Sequence, residues 1–286
     1  MSVYFCNPGL IDLAAVRTLG VSVKDNDSAI GYFGTGLKFA IATILRHGGE
    51  IKLYRGDEVH TIGSEKVCIR GEDFEVVTLD GEQLGFTTQL GRDWQPWMAY
   101  RELASNALDE GGSYGLFDGS SCRALETMFV VSGGGIQEAN AEAASILLQT
   151  EPIYKNEDIE LHPGDGRQIF YRGVRVGDLP DPSVYRINLL GKIALTEDRT
   201  YSNIWEVYSR MVRGIAKISD EKILQRILTA GKNFLEHGRS FPAEYCSDAF
   251  KTVAGNLRST VSDMTTANPS ALKIAEELAL CNLGPS

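Results

Sequence analysis

Apolar residues recur along this chain in two rhythms, and the changes of rhythm mark out its elements. Residues 2–6 (SVYFC) read as a short strand ended by Asn7-Pro8-Gly9, and residues 10–18 space their apolar positions as a helix does. After a polar loop, GYFGTG at 31–36 opens an apolar helix, LKFAIATILRHG, which Gly48-Gly49 stops. From residue 50 the segments EIKLYRG, KVCIRG, FEVVTLDG and LGFTTQL, punctuated by Gly and Asp-Gly, predict an antiparallel meander. Residues 95–109 predict a helix with Pro96 near its start and Gly111-Gly112 past its end. A Gly/Ser-rich loop then runs to 121, followed by a strand (ETMFVV), a turn (SGGG, 132–135) and a helix (IQEANAEAASILLQ). The polar stretch 151–166, with its Pro and Gly, is the predicted boundary. Strands are expected near 167–176 and 184–195. From 201 onward apolar positions keep helical spacing through WEVYSRMV, ILQRILTAG and ALKIAEELAL. No repeat or low-complexity tract interrupts this order. The expected class is α+β, with residues 1–155 forming one domain and residues 156–286 a smaller strand-then-helix domain.

Composition narrows the function. With 286 residues, 43% of them apolar, the chain can bury a substantial core. A formal net charge of −10 argues against a nucleic-acid-coating protein, which needs a basic face. Cys6, Cys68, Cys122, Cys246 and Cys281 are far apart and form no CxxC pair, and the four histidines are scattered with no HExxH. Neither a disulfide framework nor a zinc site is expected, and the thiols are expected to be reduced and mostly buried. No stretch approaches the roughly 20 apolar residues of a membrane span. A soluble, cytoplasmic chain with no membrane partner is the expectation.

Two constellations carry chemistry. Gly31, Gly34 and Gly36 lead directly into a helix with Lys38 in its first turn. Glycines allow close backbone approach, and a helix start offers free N–H groups to an anion. The spacing lacks the Gly-Lys-Ser/Thr ending of a Walker loop and departs from the Rossmann order. In RELASNALDE (101–110), Glu102 and Asn106 share one helical face, with Asp109 close to it, while Leu103, Ala104, Ala107 and Leu108 are expected to face a core. Ser105 and Asn106 are mediocre helix formers with no cap to make at mid-helix. An amide carbonyl can ligate Mg²⁺, and a carboxylate can orient or deprotonate water.

RELASNALDE resembles the Glu-x-x-x-Asn-Ala-x-Asp helix of the GHKL (Bergerat-fold) ATPases. SAIGYFGTGLKFA resembles the glycine lid of the same superfamily, in its heat-shock-chaperone and MORC-like branch. VYFCNPGLIDLAAVRTLGVSVK resembles the adenine-binding Asp-x-Gly segment, with Asn7-Pro8-Gly9 in its place. The resemblance covers most of residues 3–110 and implies a two-layer Bergerat-type α/β sandwich. The motif order is circularly permuted, since the asparagine helix comes last. A competing alignment sets Ser132-Gly133-Gly134-Gly135 at the Asp-x-Gly position, but that turn has no acid.

The resemblance implies ATP and Mg²⁺ as ligands and assigns roles. Glu102 is the general base and Asn106 the Mg²⁺ ligand, with Asp109 supporting the pocket. Asn7 and Gly9 stand at the base. Gly31, Gly34, Thr35 and Gly36 close over the phosphates, with Lys38 and Lys24 as further contacts. In the second domain Arg199, or Lys192, is the candidate that reaches the γ-phosphate. Trp94, Trp97 and Tyr100 read as packing residues, as do Tyr201, Trp205 and Tyr208. The expected activity is Mg²⁺-dependent ATP hydrolysis coupled to conformational change, with a protein partner for the second domain. The rival readings are a nucleotide-gated binding protein that does not hydrolyse, and a phage-type interaction protein that sequesters a host factor.

Overall fold

The computed structural model describes residues 1–18, 35–120 and 123–265. The chain divides into two compact units, Met1–Leu147 and Leu148–Ser286. The class is α+β: antiparallel pairing dominates both sheets, and helices form separate layers.

In the first unit, β1 (Ser2–Pro8) leads through a short helix α1 (Leu13–Arg17) to α2 (Gly36–Arg46). The meander follows as β2 (Glu50–Arg55), β3 (Glu58–Ile69), β4 (Glu72–Leu79) and β5 (Glu82–Thr87). Next come α3 (Pro96–Asp109), β6 (Ser113–Leu116), β7 (Glu126–Ser132) and α4 (Ile136–Ala141). Among the described residues the strands form one antiparallel sheet in the order β5-β4-β3-β2-β7-β1-β6. Alternation fixes its faces. Val3 and Phe5 of β1, opposite Val131 and Phe129 of β7, are buried with the helix layer, and Phe5 meets Tyr100 of α3 edge-on at 5.4 Å. The alternate residues Tyr4, Cys6, Met128 and Val130 form a small apolar cluster on the other face.

Three sequence expectations change. The loop predicted up to 121 contains β6, because SYGL gains its strand geometry by pairing with β1 rather than from its own propensity. The meander's second strand is longer than KVCI, starting at Glu58. The helix after SGGG stops at Ala141 and gives way to a single 3-10 turn, Ala143–Ser145.

The second unit pairs β8 (Tyr154–Lys155), β9 (Ile159–His162), β10 (Gly166–Tyr171), β11 (Val174–Ser183) and β12 (Arg186–Leu189) in the order β11-β10-β12-β9-β8, with β10 and β12 parallel. Helices α5 (Ile204–Ala216), α6 (Glu221–Leu228) and α7 (Asp248–Thr265) follow. The side chains of Asn203 and Asp220 cap α5 and α6 by accepting from Trp205 N and from Lys222 and Ile223 N. Val207, Met211 and Ile215 of α5 pack with Leu224 and Phe250 over Ile159, Leu161 and Ile187 of the sheet. Trp205, expected in core or domain-interface packing, is 71% exposed and rests edge-on against Tyr208. ALKIAEELAL lies outside the described residues.

Of the cysteines described, Cys246 is buried, Cys6 is half-buried and Cys68 is exposed, so burial of the thiols is only partial. Among the described residues no helix is long and apolar enough to cross a membrane.

One buried charge in the second unit has a pH consequence. Glu236 accepts from the Ser183 hydroxyl and from Val184 N, and its carboxyl is buried. Desolvation raises its pKa above the usual carboxylate value, against the opposing pull of those donors. The folded chain thus holds this proton to higher pH than the unfolded chain. The resulting stabilisation is complete below the ordinary carboxylate range and is lost as pH rises through the raised folded value. Glu236→Gln keeps an acceptor for both donors without a charge. Its melting temperature relative to the parent is expected to climb as pH rises from the ordinary carboxylate range, about pH 4, towards neutral. A difference that stays constant across that interval contradicts this account.

Candidate functional site

The site is organised by α3, which is buried on most of its circumference. Ala99, Tyr100, Leu103, Ala104 and Ala107 are buried, and so are the polar Arg101, Glu102 and Ser105. Leu108, expected in the core, is 46% exposed, because it falls in the last turn where the helix leaves the layer. Ser105 settles its mid-helix hydroxyl by donating to Arg101 O at 2.6 Å. The Arg101 guanidinium lies over Trp97 at 5.2 Å and Trp94 at 6.0 Å. Trp94 and Tyr100 are buried, Trp94 edge-on to Phe39 at 5.2 Å, which agrees with packing roles for both.

Helix α2 lies beside α3. Arg46, at the end of α2, donates to the carbonyls of Thr88, Leu90, Gly91 and Trp94, tying the chain that enters α3 to α2. At the other end of α2 the backbone of Gly36 lies against Glu102. A Cβ placed there would overlap the carboxyl group, 2.7 Å from Oε2 and closer still to Oε1. A larger residue at position 36 would have to move the Glu102 carboxyl group. Glu102 is 2% exposed, and its Oε1 accepts a hydrogen bond from Asn106 Nδ2 at 2.9 Å, one helical turn on. Thr35 stands at the N-cap without a side-chain capping bond, and its hydroxyl oxygen is buried with no hydrogen-bond partner. Lys38 is buried in the first turn of α2, and desolvation lowers the pKa of its ammonium.

Asn7 marks the other end. It lies at the end of β1 opposite Thr127, near the last turn of α3, and donates from Nδ2 to the Glu110 carboxylate. Eight residues of α3 separate Glu110 from Glu102, roughly 12 Å of helix rise. The close approach depends on Gly112, where a Cβ would overlap the backbone of Cys6 and Asn7. Thr127, which sequence reasoning missed, is buried and holds the turn after β1: its hydroxyl donates to Gly9 O at 2.7 Å and accepts from Ile11 N at 2.8 Å. A lone threonine in a strand gives no sequence signal for such a role.

The structure thus brings Gly36, Glu102 and Asn106 together, with Thr35 and Lys38 adjoining Gly36 in the chain and Asn7 near the far end of α3. Asp109 is exposed on the last turn of α3. Gly31, Gly34 and Lys24 lie outside the described residues. The competing turn, Ser132–Gly135, abuts Pro96 at the opposite end of α3 from Asn7. Arg199 belongs to the second unit, where it is buried in a tight turn with φ of 54°, its N–H bonded to Thr196 O. Lys192 is exposed in the same unit. A cleft of about 510 Å³ opens beside Asn7 and Pro8, with Tyr4, Cys6 and Met128 among its lining; Glu102 and Asn106 do not line it.

Among the described residues no group of three or more His, Cys, Asp or Glu side chains is placed to hold a metal ion. The donors present suit a cation that arrives with its own oxygen ligands: Mg²⁺ is usually held by one or two protein groups plus substrate phosphates. With Nδ2 given to Glu102, Asn106 has its carbonyl oxygen to offer such a cation. Comparison with protein-family models, curated proteins and solved structures finds no match to this chain.

The Asn7–Glu110 contact favours an amide over an acid at position 7. An amide donates to the neighbouring carboxylate, whereas an acid there would set like charges together. Asn7→Asp is expected to destabilise the chain by roughly 0.5 kcal/mol, and Glu110→Gln in the same chain to restore it. Thermal denaturation of the two single variants and the double variant checks this, and additive effects would refute the pairing.

Proposed function

We propose that the first unit is a Mg²⁺-dependent ATP-binding domain of GHKL type that hydrolyses ATP and couples nucleotide state to conformation. The observation that carries this reading is the seating of the α2 start on Glu102 of α3, itself bonded to Asn106, with Asn7 near the far end of the same helix. A nucleotide lying along α3 would set its base towards Asn7 and Gly9 and its phosphates at Thr35, Gly36 and Lys38. Free N–H groups at a helix start and a buried ammonium both favour an anion there. Mg²⁺ would neutralise phosphate charge, with Asn106 as its protein ligand.

Glu102 is the general base for an attacking water. In the structure its carboxylate is covered by Gly36, so water reaches it only when the first turn of α2 shifts. That requirement links turnover to movement of the first turn of α2. In this reading the second unit, with Arg199 and Lys192, transmits the nucleotide state or binds a protein partner in the cytoplasm.

Two measurements test the proposal. ATP with Mg²⁺ at about 100 times its dissociation constant is expected to stabilise the chain by about 2.7 kcal/mol, a melting shift of several degrees. Glu102→Gln is expected to abolish phosphate release while the melting shift persists, since the base is lost and the shape kept. No shift with any nucleotide would refute the site, and undiminished turnover in Glu102→Gln would refute the role of the base.

A further inference from the structure

Resting on the nucleotide reading above, we propose that Glu102 is also a positioning residue: held between Gly36 and Asn106, it fixes which end of the Asn106 amide faces the cation. An asparagine side chain presents an oxygen and an NH₂ of nearly the same shape, and only the oxygen can ligate Mg²⁺. On a helix surface nothing selects between the two ends. Here a carboxyl oxygen of Glu102 sits one turn away and accepts from the NH₂ end at 2.9 Å. The selection is firm because the carboxylate itself has little room to turn: it is 2% exposed, with the backbone of Gly36 against both its oxygens. Asn106 is partly exposed, so its carbonyl oxygen can be reached from outside the core.

The start of α2 is therefore linked to the metal ligand through one side chain. Whatever displaces the first turn of α2 frees Glu102 to rotate, and with it the Asn106 amide. The contact at Gly36 supplies a way to disturb this without deleting the carboxylate. Gly36 is the first residue of α2 and has no left-handed backbone, so alanine suits its conformation, but the new methyl must push the Glu102 carboxyl aside.

The test uses the full chain and reads the Mg²⁺ concentration that half-saturates the melting shift given by ATP, which needs no turnover. Partners that orient a metal ligand typically carry a 10- to 100-fold effect on metal affinity. Glu102→Ala and Gly36→Ala are each expected to raise the half-saturating Mg²⁺ about 10-fold or more while keeping the shift that ATP gives without Mg²⁺. Glu102→Gln, whose amide can either accept from the Asn106 NH₂ or donate to its oxygen, is expected to raise the half-saturating Mg²⁺ by a smaller factor than Glu102→Ala, in addition to losing the base. Parental Mg²⁺ dependence in Glu102→Ala overturns the positioning role, and if that variant does not fold, the same result in Gly36→Ala does so. A parent chain that ATP stabilises equally with and without Mg²⁺ also overturns it. A parent chain with no ATP shift at all refutes the nucleotide site itself.

Discussion

A carboxylate buried at mid-helix is the constraint around which the first unit is arranged. Burying a polar group is costly unless partners meet it, and Glu102 is 2% exposed. It is accommodated because Asn106 lies one turn away and because α2 begins at a glycine that lets its first turn close on the carboxyl group. Both conditions require α3 to be held in one place. The sheet beneath it, α2 beside it and the four carbonyl bonds of Arg46 do this together. Hydrophobic contacts such as Phe5–Tyr100 and Phe39–Trp94 supply the burial, while the polar contacts fix the register.

The two ends of the proposed site come from segments far apart in sequence that the sheet brings to one helix. Asn7 lies on β1, and β1 sits between β7 and β6, strands that follow α3 in the chain. The neighbours of Asn7 are thus Thr127 and Glu110, more than a hundred residues on. The spatial arrangement around α3 does not depend on the order in which the chain visits its parts. A permuted motif order is physically permissible for that reason.

Much of this was legible in the sequence. Helical spacing located α2 and α3, and Gly and Asp-Gly punctuation located the meander. The i, i+4 relation alone put Glu102 and Asn106 on one face. What escaped was set by tertiary partners. Strand β6 forms because β1 is available to pair with it, not because SYGL favours extension. Leu108 and Trp205 have the spacing of core residues, yet both end exposed where a helix face outruns its partner. Arg46 and Thr127 act through backbone atoms, and side-chain bonds to distant carbonyls leave no periodic trace. The contact of Gly36 with Glu102 joins two motifs that, in sequence, lie 66 residues apart.

The central claim is that Mg²⁺ and ATP engage α3 between its two polar ends. Backbone amide exchange of the full chain, measured with and without Mg²⁺ and ATP, tests it most directly, because it reports where a ligand acts. The account predicts slowed exchange in residues 36–39 at the start of α2 and in residues 9–11 after β1, with the outer strands β4 and β5 unchanged. Slowed exchange confined to other segments, with residues 9–11 and 36–39 unaffected, would contradict it.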